Sequence, residues 1–475
     1  MPVNTFDQYP LTWKPDKAAL SPPYYQSLAQ DLEDKIRAGL LKPGTRLPPQ
    51  REIADYLDLN YTTITRVYDR CKKKGLIYGT MGKGTYVAPH PNQELPATAG
   101  DLFDLSIDLG AVNGFSEYSE LVEQATRSVL EKGYLRNLYE YSHPEGHPHQ
   151  LAAGARWMEQ LGVHTDGTHM AILAGAQNAL TVALIALFAP GDRIGVDPYT
   201  YSNFLELAKL LHLVLVPIPG DAQGMLPEEL DRHCRTSRLR GVYLIPNCAN
   251  PTTLTIPLSR RRALAEVIGK NRLILLEDDS SAWLSAVEGR VLPSLFDLLE
   301  GQSVYICGMT KSLCPGLRIA YMAFPPQLQS ALLHGLIHVN IKTSSFDAEV
   351  ITELILSGKA YEIAAKKHQW AKKSVALFDR YFPGVTPAGE PPSYYKWLPI
   401  HLRKPPALVE QELGALGVRV YHSARFSVSP EETGEFLRVS LCSAGSPQRL
   451  ERGFSILRRY LQAGTPSGEG AVGSL

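Results

Sequence analysis

The sequence predicts an α/β protein with two domains: a small helical domain that ends in a β-hairpin, and a larger domain built on a mostly parallel sheet. At 475 residues the chain is too long for one hydrophobic core. Three helical patterns and a glycine-rich hairpin occupy its first part. Beyond them, short apolar runs such as "MAILAG", "RLILLED" and "SVYICG" alternate with helical segments, which is typical of a sheet covered by helices on both faces.

The small domain is predicted from three helices in a row. Apolar residues at helical spacing predict the first helix, namely Tyr25, Leu28, Leu32, Ile36 and Leu40. The turn "KPGTRLPP" leads to a second helix, "QREIADYLDL". Asn60 suits the N-cap of a third helix, "YTTITRVYDRCKKKG", which Gly75 closes. "LIYGTMGKGTYVAP" then predicts two short strands around a hairpin, and the whole order indicates a winged helix-turn-helix.

This small domain is the part of the chain that suits DNA. The chain as a whole has no net charge, but residues 14–88 hold 13 Lys and Arg against 8 Asp and Glu, and a local basic excess favours a polyanion partner. The third helix fits the major groove and the hairpin tip fits the DNA backbone or the minor groove. The alternative, a merely solvated face, is the usual explanation of a lysine run such as residues 72–74.

A connector and a tail frame the larger domain. We predict the winged helix over residues 20–88, a connector rich in Pro and small residues over 89–104, the larger domain over 105–463 and a disordered tail over 464–475. The pattern changes from about residue 365 to a smaller α+β part. The chain has no predicted signal peptide, membrane span or zinc-spaced cysteines. A cytoplasmic protein with reduced thiols and no metal is therefore expected.

Polar residues follow several predicted strands of the larger domain, where sites in such sheets lie. Gly175, Ala176 and Gln177 leave one strand and open a helix, so their amide groups can cradle a phosphate, although small residues also pack tight turns. Asp278 follows a buried strand and can pair with the nitrogen of a pyridine ring, or simply cap a helix.

Four further residues are candidates for the same site, and each of them taken alone could have an ordinary structural role instead. Asn250 precedes a proline and can bind a ring hydroxyl or form an Asx-turn. Tyr201 can stack on a flat ring, with Tyr199 as its rival, or belong to the core. In "TKSLCPGLR", Lys311 lies among apolar neighbours, which favour loss of its proton and attack on an aldehyde, and Arg318 can hold a phosphate.

The first segment resembles the GntR-type winged helix of bacterial regulators along "LKPGTRLPPQREIADYLDLNYTTITRVYDRCKKKGLIYGTMGKGTYV". The resemblance implies DNA contacts from the second helix, the recognition helix and the wing tip, namely Arg51, Tyr61, Thr62, Arg66 and Lys83. The chain departs from the family at Pro49, where Ser is usual, and at Tyr61, where a base-reading Arg is frequent. A bidentate Arg–guanine contact gives roughly 1–3 kcal/mol of discrimination that Tyr does not reproduce, so we expect an uncommon operator.

Residues 105–460 resemble the fold-type I aminotransferases, because the residues discussed above occur in that family's order. The resemblance implies that Lys311 forms a Schiff base with pyridoxal 5′-phosphate (PLP). The implied cofactor-binding residues are Tyr141, Gly175, Ala176, Gln177, Tyr201, Asn250, Asp278, Thr310, Lys311 and Arg318. Tyr141, in a "Y-x-x-x-x-G" pattern with Gly146, would reach the phosphate of a partner subunit, and Arg438, in "LRVS", would bind a substrate carboxylate.

Three positions depart from that family. Ser280 and Ser281 stand where a Tyr normally bonds the ring hydroxyl, Gly308 replaces a serine that binds phosphate, and Thr253 replaces the glycine of "NPTG". The loss of the Tyr argues against efficient transamination, whereas the lysine, Asp278, Asn250 and Arg318 that bind the cofactor are kept.

A GntR-type winged helix joined to this fold resembles the MocR/GabR-type subfamily of regulators. The resemblance implies a PLP-dependent transcription regulator, a homodimer that binds a double-stranded DNA operator and senses an amine, an amino acid or PLP itself. Two alternatives stay open: an active aminotransferase with an accessory DNA-binding domain, and a DNA-binding protein whose second domain no longer holds PLP.

Overall fold

A computed structural model describes residues 12–42, 44–73, 76–80, 84–87, 107–111, 118–141, 143–299, 301–387, 389–402, 404–429 and 434–464. The chain divides into two compact units, Met1–Leu102 and Phe103–Leu475. The predicted connector, Gly75, Lys83 and nearly all of the predicted tail lie outside the described residues.

The first unit is a winged helix-turn-helix. Its core is made of apolar side chains from all three helices and the hairpin, including Leu28, Ile53, Ile64 and Val87. The strands form a three-stranded antiparallel sheet in the order β1-β3-β2. The elements are α1 (Tyr24–Arg37), β1 (Arg46–Leu47), α2 (Gln50–Leu57), α3 (Tyr61–Lys73), β2 (Ile77–Thr80) and β3 (Gly84–Val87).

Two local predictions for this unit can be compared with the structure. Asn60 caps the third helix, because its Oδ1 accepts the amide N–H of Thr62 at 2.9 Å, so that prediction is confirmed. The prediction that Leu40 belongs to the apolar face of the first helix is wrong. α1 ends at Arg37, and Leu40 lies beyond it with 73% of its surface exposed.

The second unit contains a seven-stranded sheet in the order β5-β13-β12-β11-β10-β6-β7. The pairs from β12 to β7 are parallel, whereas β13 runs antiparallel to both of its neighbours. The strands of this sheet are β5 (Met170–Leu173), β6 (Arg193–Val196), β7 (Val214–Pro217), β10 (Gly241–Leu244), β11 (Ile274–Asp279), β12 (Ser303–Gly308) and β13 (Ala320–Ala323).

Helices cover both faces of this sheet, as predicted. Ile172 and Tyr305 face one apolar core and Leu173 and Ile306 face another, because successive side chains of a strand point to opposite faces. The helices of the unit are α4 (Ser119–Leu130), α5 (Pro148–Glu159), α6 (Ala176–Leu187), α7 (Ser202–Leu210), α8 (Pro227–Ser237), α9 (Leu258–Lys270), α10 (Ala282–Ala286), α11 (Leu295–Leu298), α12 (Met309–Ser312), α13 (Pro326–Asn340), α14 (Ser345–Leu356), α15 (Lys359–Tyr381), α16 (Pro406–Ala415) and α17 (Pro447–Gly464).

The C-terminal part of this unit, from the second half of α15 to α17, has an apolar core of its own. We call this part the small subdomain. The long helix α15 contributes Leu377 and Phe378 to that core, and β17 contributes Leu437 and Val439. The remaining strands are β4 (Ile107–Asp108), β8 (Gly220–Asp221), β9 (Gly224–Met225), β14 (Tyr395–Pro399), β15 (Val418–Arg419), β16 (Tyr421–His422) and β17 (Phe436–Ser440).

Three findings limit the kinds of site that the fold offers. No helix within the described ranges is long and apolar enough to cross a membrane. The same residues include no cluster of His, Cys, Asp or Glu that could hold a metal ion. All six cysteines are free thiols.

Candidate functional site

Asp278 lies at the carboxyl end of β11 with only 6% of its surface exposed. The buried Tyr243 of the neighbouring strand donates a hydrogen bond of 2.8 Å to its Oδ2, and Ser280 donates one of 3.5 Å to its Oδ1. Burial raises the pKa of the Asp278 carboxyl to about 6, and the Tyr243 hydrogen bond restrains that rise.

Asp279, and not Asp278, caps the helix that follows. The amide groups at the start of α10 donate to Asp279 Oδ1 at 2.8 and 3.2 Å. The helix-cap alternative for Asp278 is therefore wrong.

We expect Tyr243→Phe to destabilise the chain more at pH 8 than at pH 5. Without the phenol, the pKa of Asp278 rises further above its ordinary value, so ionisation of this buried carboxyl costs more in the folded state. Stability is then lost as the pH rises through the folded-state pKa. The expected loss at pH 8 is about 1–3 kcal/mol in the free energy of unfolding. Urea unfolding of the cofactor-free chain at pH 5 and at pH 8 measures this loss. An equal loss of unfolding free energy at the two pH values would contradict the link to Asp278.

Lys311 lies in the short helix α12, directly after β12. β12 pairs with β11, and Asp278 lies opposite Ile306 in that pairing. Lys311 and Asp278 therefore both lie at the carboxyl edge of the sheet. Burial lowers the pKa of Lys311 to about 8; the nearby Cys442 opposes that shift, whereas the charges of Arg438 and Arg318 strengthen it. A lysine of this kind has more neutral amine at neutral pH than an exposed lysine does.

Arg318 and the N-terminal end of α6 together form a candidate anion-binding site. Gly175, with φ of 85°, precedes α6, and a Cβ atom on it would lie only 2.7 Å from a guanidinium nitrogen of Arg318. The guanidinium therefore packs against the N-terminal end of a 12-residue helix. A positive side chain beside the positive end of a helix is unfavourable unless an anion compensates both. The residues fit a phosphate group.

Arg438 comes from β17 of the small subdomain and is 94% buried, with 6% of its surface exposed. Its Nη1 donates to Asn250 Oδ1 at 2.9 Å and its Nη2 to the Gly110 carbonyl at 2.6 Å. Its Nε has no hydrogen-bond partner among the described residues. The rings of Phe426 and Tyr421 lie 4.6 and 5.6 Å from the guanidinium. A buried guanidinium with unused donor capacity suits a carboxylate.

Tyr201 and its rival Tyr199 have different surroundings. Burial raises the pKa of Tyr201, and the charge of Asp278 raises it further, so the two side chains lie near each other. The Tyr199 ring packs instead against Trp397, with 5.3 Å between ring centroids.

The remaining predicted residues fall into two groups. Ala176, Gln177 and Thr310 lie in the first turns of α6 and α12, next to Gly175 and Lys311. Tyr141 is 88% exposed. Tyr243 is not among the residues predicted from the sequence, where its only distinguishing feature is a phenol inside an apolar strand.

Two departures from the aminotransferase pattern turn out to be neighbours. A Cβ atom on Gly308 would lie 2.8 Å from the Ser280 hydroxyl oxygen and 3.4 Å from the Ala176 Cβ. A serine at position 308 would therefore require Ser280 to move. Gly308 leaves the space that the Ser280 side chain occupies. The two departures from the aminotransferase pattern are therefore structurally linked.

In the first unit, the predicted DNA-contacting residues that the structure describes lie on α2 and α3. Arg51, Arg66 and Thr62 are exposed, and Tyr61 is 47% exposed. The Thr62 hydroxyl donates to Asn60 at 2.9 Å, so it retains its lone pairs for a further contact. This part of α3 is accessible to a DNA groove.

Comparison with known proteins gives matches for both units. Residues 108–457 match the family model of aminotransferase class I and II, and residues 24–87 match that of bacterial regulatory proteins of the gntR family. The chain is 35% identical over 467 residues to a Bacillus subtilis protein named "Uncharacterized HTH-type transcriptional regulator YdeF", over 97% of this chain and 99% of YdeF. It is 26% identical over 336 residues to a Rhizobium meliloti protein named "Probable rhizopine catabolism regulatory protein MocR", over 64% and 66% of the two chains.

Two solved structures show the same fold as the second unit. Kynurenine aminotransferase of Pyrococcus horikoshii has a TM-score of 0.69 at 19% identity, over 76% of this chain and 93% of that one. The α-aminoadipate aminotransferase LysN of Thermus thermophilus has a TM-score of 0.67 at 22% identity, over 76% and 94%.

Proposed function

Because the chain belongs to the aminotransferase class I and II family and carries a DNA-binding domain of the gntR family of bacterial regulatory proteins, we propose that it is a PLP-dependent transcription regulator. The observation that carries this proposal is the convergence of Lys311, Asp278 and Arg318 at one edge of the sheet. It occurs in a chain whose first unit is a winged helix-turn-helix. A cytoplasmic location follows from the proposed DNA-binding role.

The residues at the sheet edge fit PLP. Arg318 and the amide groups at the start of α6 would hold its phosphate, Asp278 its ring nitrogen, and Asn250 and Tyr201 its ring. When bound, PLP supplies an aldehyde that reacts with amines and a ring that withdraws electrons. Lys311 provides the amine of the protein, and its lowered pKa keeps a useful fraction of that amine neutral.

The effector would be an amine or an amino acid that competes with Lys311 for the cofactor. Arg438 would bind a carboxylate on such an effector through its buried guanidinium. Arg438 belongs to the small subdomain, whereas Lys311 and Asp278 belong to the large sheet. An effector that contacts both the small subdomain and the large sheet would favour one arrangement of the two relative to each other. A ligand that favours one conformation of the chain in this way can change its affinity for DNA.

A homodimer is part of this proposal. The Tyr141 side chain is 88% exposed, and, as the resemblance to the aminotransferases implies, the equivalent ring of a second copy would reach the phosphate site. Light scattering is expected to give twice the chain mass of 52.4 kDa.

An active aminotransferase is the alternative function, and turnover distinguishes the two. We expect the PLP-loaded chain to produce at most one equivalent of keto acid per site with a panel of amino acids and 2-oxoglutarate. The physical reason is that Ser280 and Gly308 replace groups that would bond the ring hydroxyl and the phosphate. Many turnovers with any member of the panel would favour the enzyme.

We expect capture of PLP by the cofactor-free chain to follow a pH midpoint near the Lys311 pKa of about 8. The neutral amine is the nucleophile, so capture becomes faster as the pH rises. The rate should increase about tenfold between pH 7 and pH 9 and then level off, as expected for this pKa. Stopped-flow absorbance measures the rate. A rate that continues to rise beyond pH 10 would show an ordinary lysine.

A further inference from the structure

Lys367 is a buried lysine that the proposed function does not use. It lies in the middle of α15 with 1% of its surface exposed. None of its contacts within the described part of the chain is with a carboxylate. Burial lowers its pKa to about 7. A buried ammonium without a carboxylate is costly, so its contacts indicate why the fold keeps a lysine there.

Those contacts converge on the backbone that follows the cofactor lysine. The Nζ atom of Lys367 donates to the carbonyl oxygen of Lys311 at 3.2 Å and to the carbonyl of Leu313. It also lies 4.1 Å from the centroid of the Tyr118 ring. The carbonyls at the end of a helix carry partial negative charge and lack partners within the helix. Lys367 therefore satisfies the end of α12, the element that carries Lys311.

A second donor reaches the same carbonyl. The Tyr394 hydroxyl donates to the Lys311 carbonyl at 3.3 Å, and Tyr394 directly precedes β14, which pairs with the strand of Arg438. The helix α15 likewise extends from the core beside Lys311, where Ile363 and Ala371 pack, into the core of the small subdomain. Both donors thus connect the Lys311 backbone to elements that continue into the small subdomain.

We propose that Lys367 is a positioning residue that fixes the backbone of Lys311 and couples it to the small subdomain through α15. The inference rests on the proposed role of Lys311 as the cofactor lysine. A displacement of the small subdomain by an effector at Arg438 would move α15 and hence change the position of the Lys311 amine. Lys367 would act on the cofactor site only through the backbone of Lys311, without contact to the cofactor.

The test compares Lys367→Met with Lys366→Met in the full-length chain. Methionine is an unbranched side chain one atom shorter than lysine, and it removes the charge and the donor. Lys366 is the neighbouring lysine on the same helix, with a half-exposed side chain that pairs with Glu362 at 2.8 Å. Three properties are measured: the melting temperature without PLP, the half-saturating PLP concentration from visible absorbance, and the visible circular dichroism of the saturated chain.

We expect Lys367→Met to raise the half-saturating PLP concentration about tenfold or more, as the loss of a charge-assisted hydrogen bond implies. We also expect it to change the visible circular dichroism at saturation, which a purely structural role of Lys367 would leave unchanged. Lys366→Met should equal the wild type in all three measurements. Wild-type loading and wild-type dichroism in Lys367→Met would overturn the inference.

Two further variants keep the test decisive. If Lys367→Met does not fold, Lys367→Gln, which keeps an uncharged donor, is expected to show a smaller increase in the same direction, and no increase would overturn the inference. Lys311→Ala separates this inference from the proposed function. If Lys311→Ala loads PLP like the wild type, the proposed function fails, whereas failure of the Lys367 variants alone removes only the positioning role.

Discussion

Lys311→Ala is expected to abolish covalent loading of PLP and, with it, the visible absorbance band of the loaded chain. Lys311 lies at the same edge of the sheet as Asp278 and Arg318. Alanine at this position has no amine that could react with the aldehyde of PLP. Borohydride reduction followed by peptide mass analysis should find the cofactor on the peptide containing position 311 in the wild type and on no peptide of the variant.

The matched control for this variant is Lys366→Ala, which removes an exposed lysine of the same unit and should load normally. A Lys311→Ala chain that still fixes one PLP per site would show that another lysine is the reactive one. A wild-type chain without any visible band would favour a second domain that has lost the cofactor.

Arg51→Ala and Arg66→Ala are expected to weaken operator binding by about tenfold to a hundredfold each, since one good Arg contact corresponds to roughly 1–3 kcal/mol. Both side chains are exposed on the helices that would meet DNA. An operator selected from a random duplex library with the wild-type chain serves as the probe. If one arginine contacts only phosphate, its variant should also lower the slope of log K against log salt by about one.

Lys17→Ala is the control for the arginine variants, because Lys17 precedes the three helices and pairs with Asp58 at 3.6 Å. It should bind the selected operator like the wild type. Unchanged binding by both arginine variants would contradict the docking of α2 and α3 on DNA.

Residues that act through local chain geometry could be predicted from the sequence. Asp278 and Lys311 each follow an apolar run, so their place at the carboxyl edge follows from strand length alone. Asn60 was predicted as a cap because capping depends on two or three neighbouring residues. These features use little information from distant parts of the chain.

Contacts between distant segments could not be predicted in the same way. Tyr243 meets Asp278 only because β10 and β11 pair in one register, and the apolar runs of the two strands do not reveal which residues will lie beside each other. Lys367 reaches the Lys311 carbonyl across 56 positions of sequence. The contact between Gly308 and Ser280 likewise depends on two loops that meet at the sheet edge.

The end of the first helix shows a different limit. Leu40 fits the helical period of the residues before it, yet the helix stops at Arg37 and the chain turns at Gly39, with φ of 70°. A glycine that adopts a left-handed conformation ends a helix irrespective of the apolar pattern beyond it. The helical spacing of apolar residues in the sequence therefore continues beyond the last residue of the helix.

The most direct test of the account is operator binding by the PLP-loaded chain, titrated with a panel of amines and amino acids, beside the same titration of Lys311→Ala. We expect at least one carboxylate-bearing amine to change the affinity of the wild type for its operator. We expect no such change for Lys311→Ala, even though that variant keeps an intact winged helix. Equal responses of the two chains, or no response of the wild type to any member of the panel, would contradict the coupling of Lys311 to DNA binding.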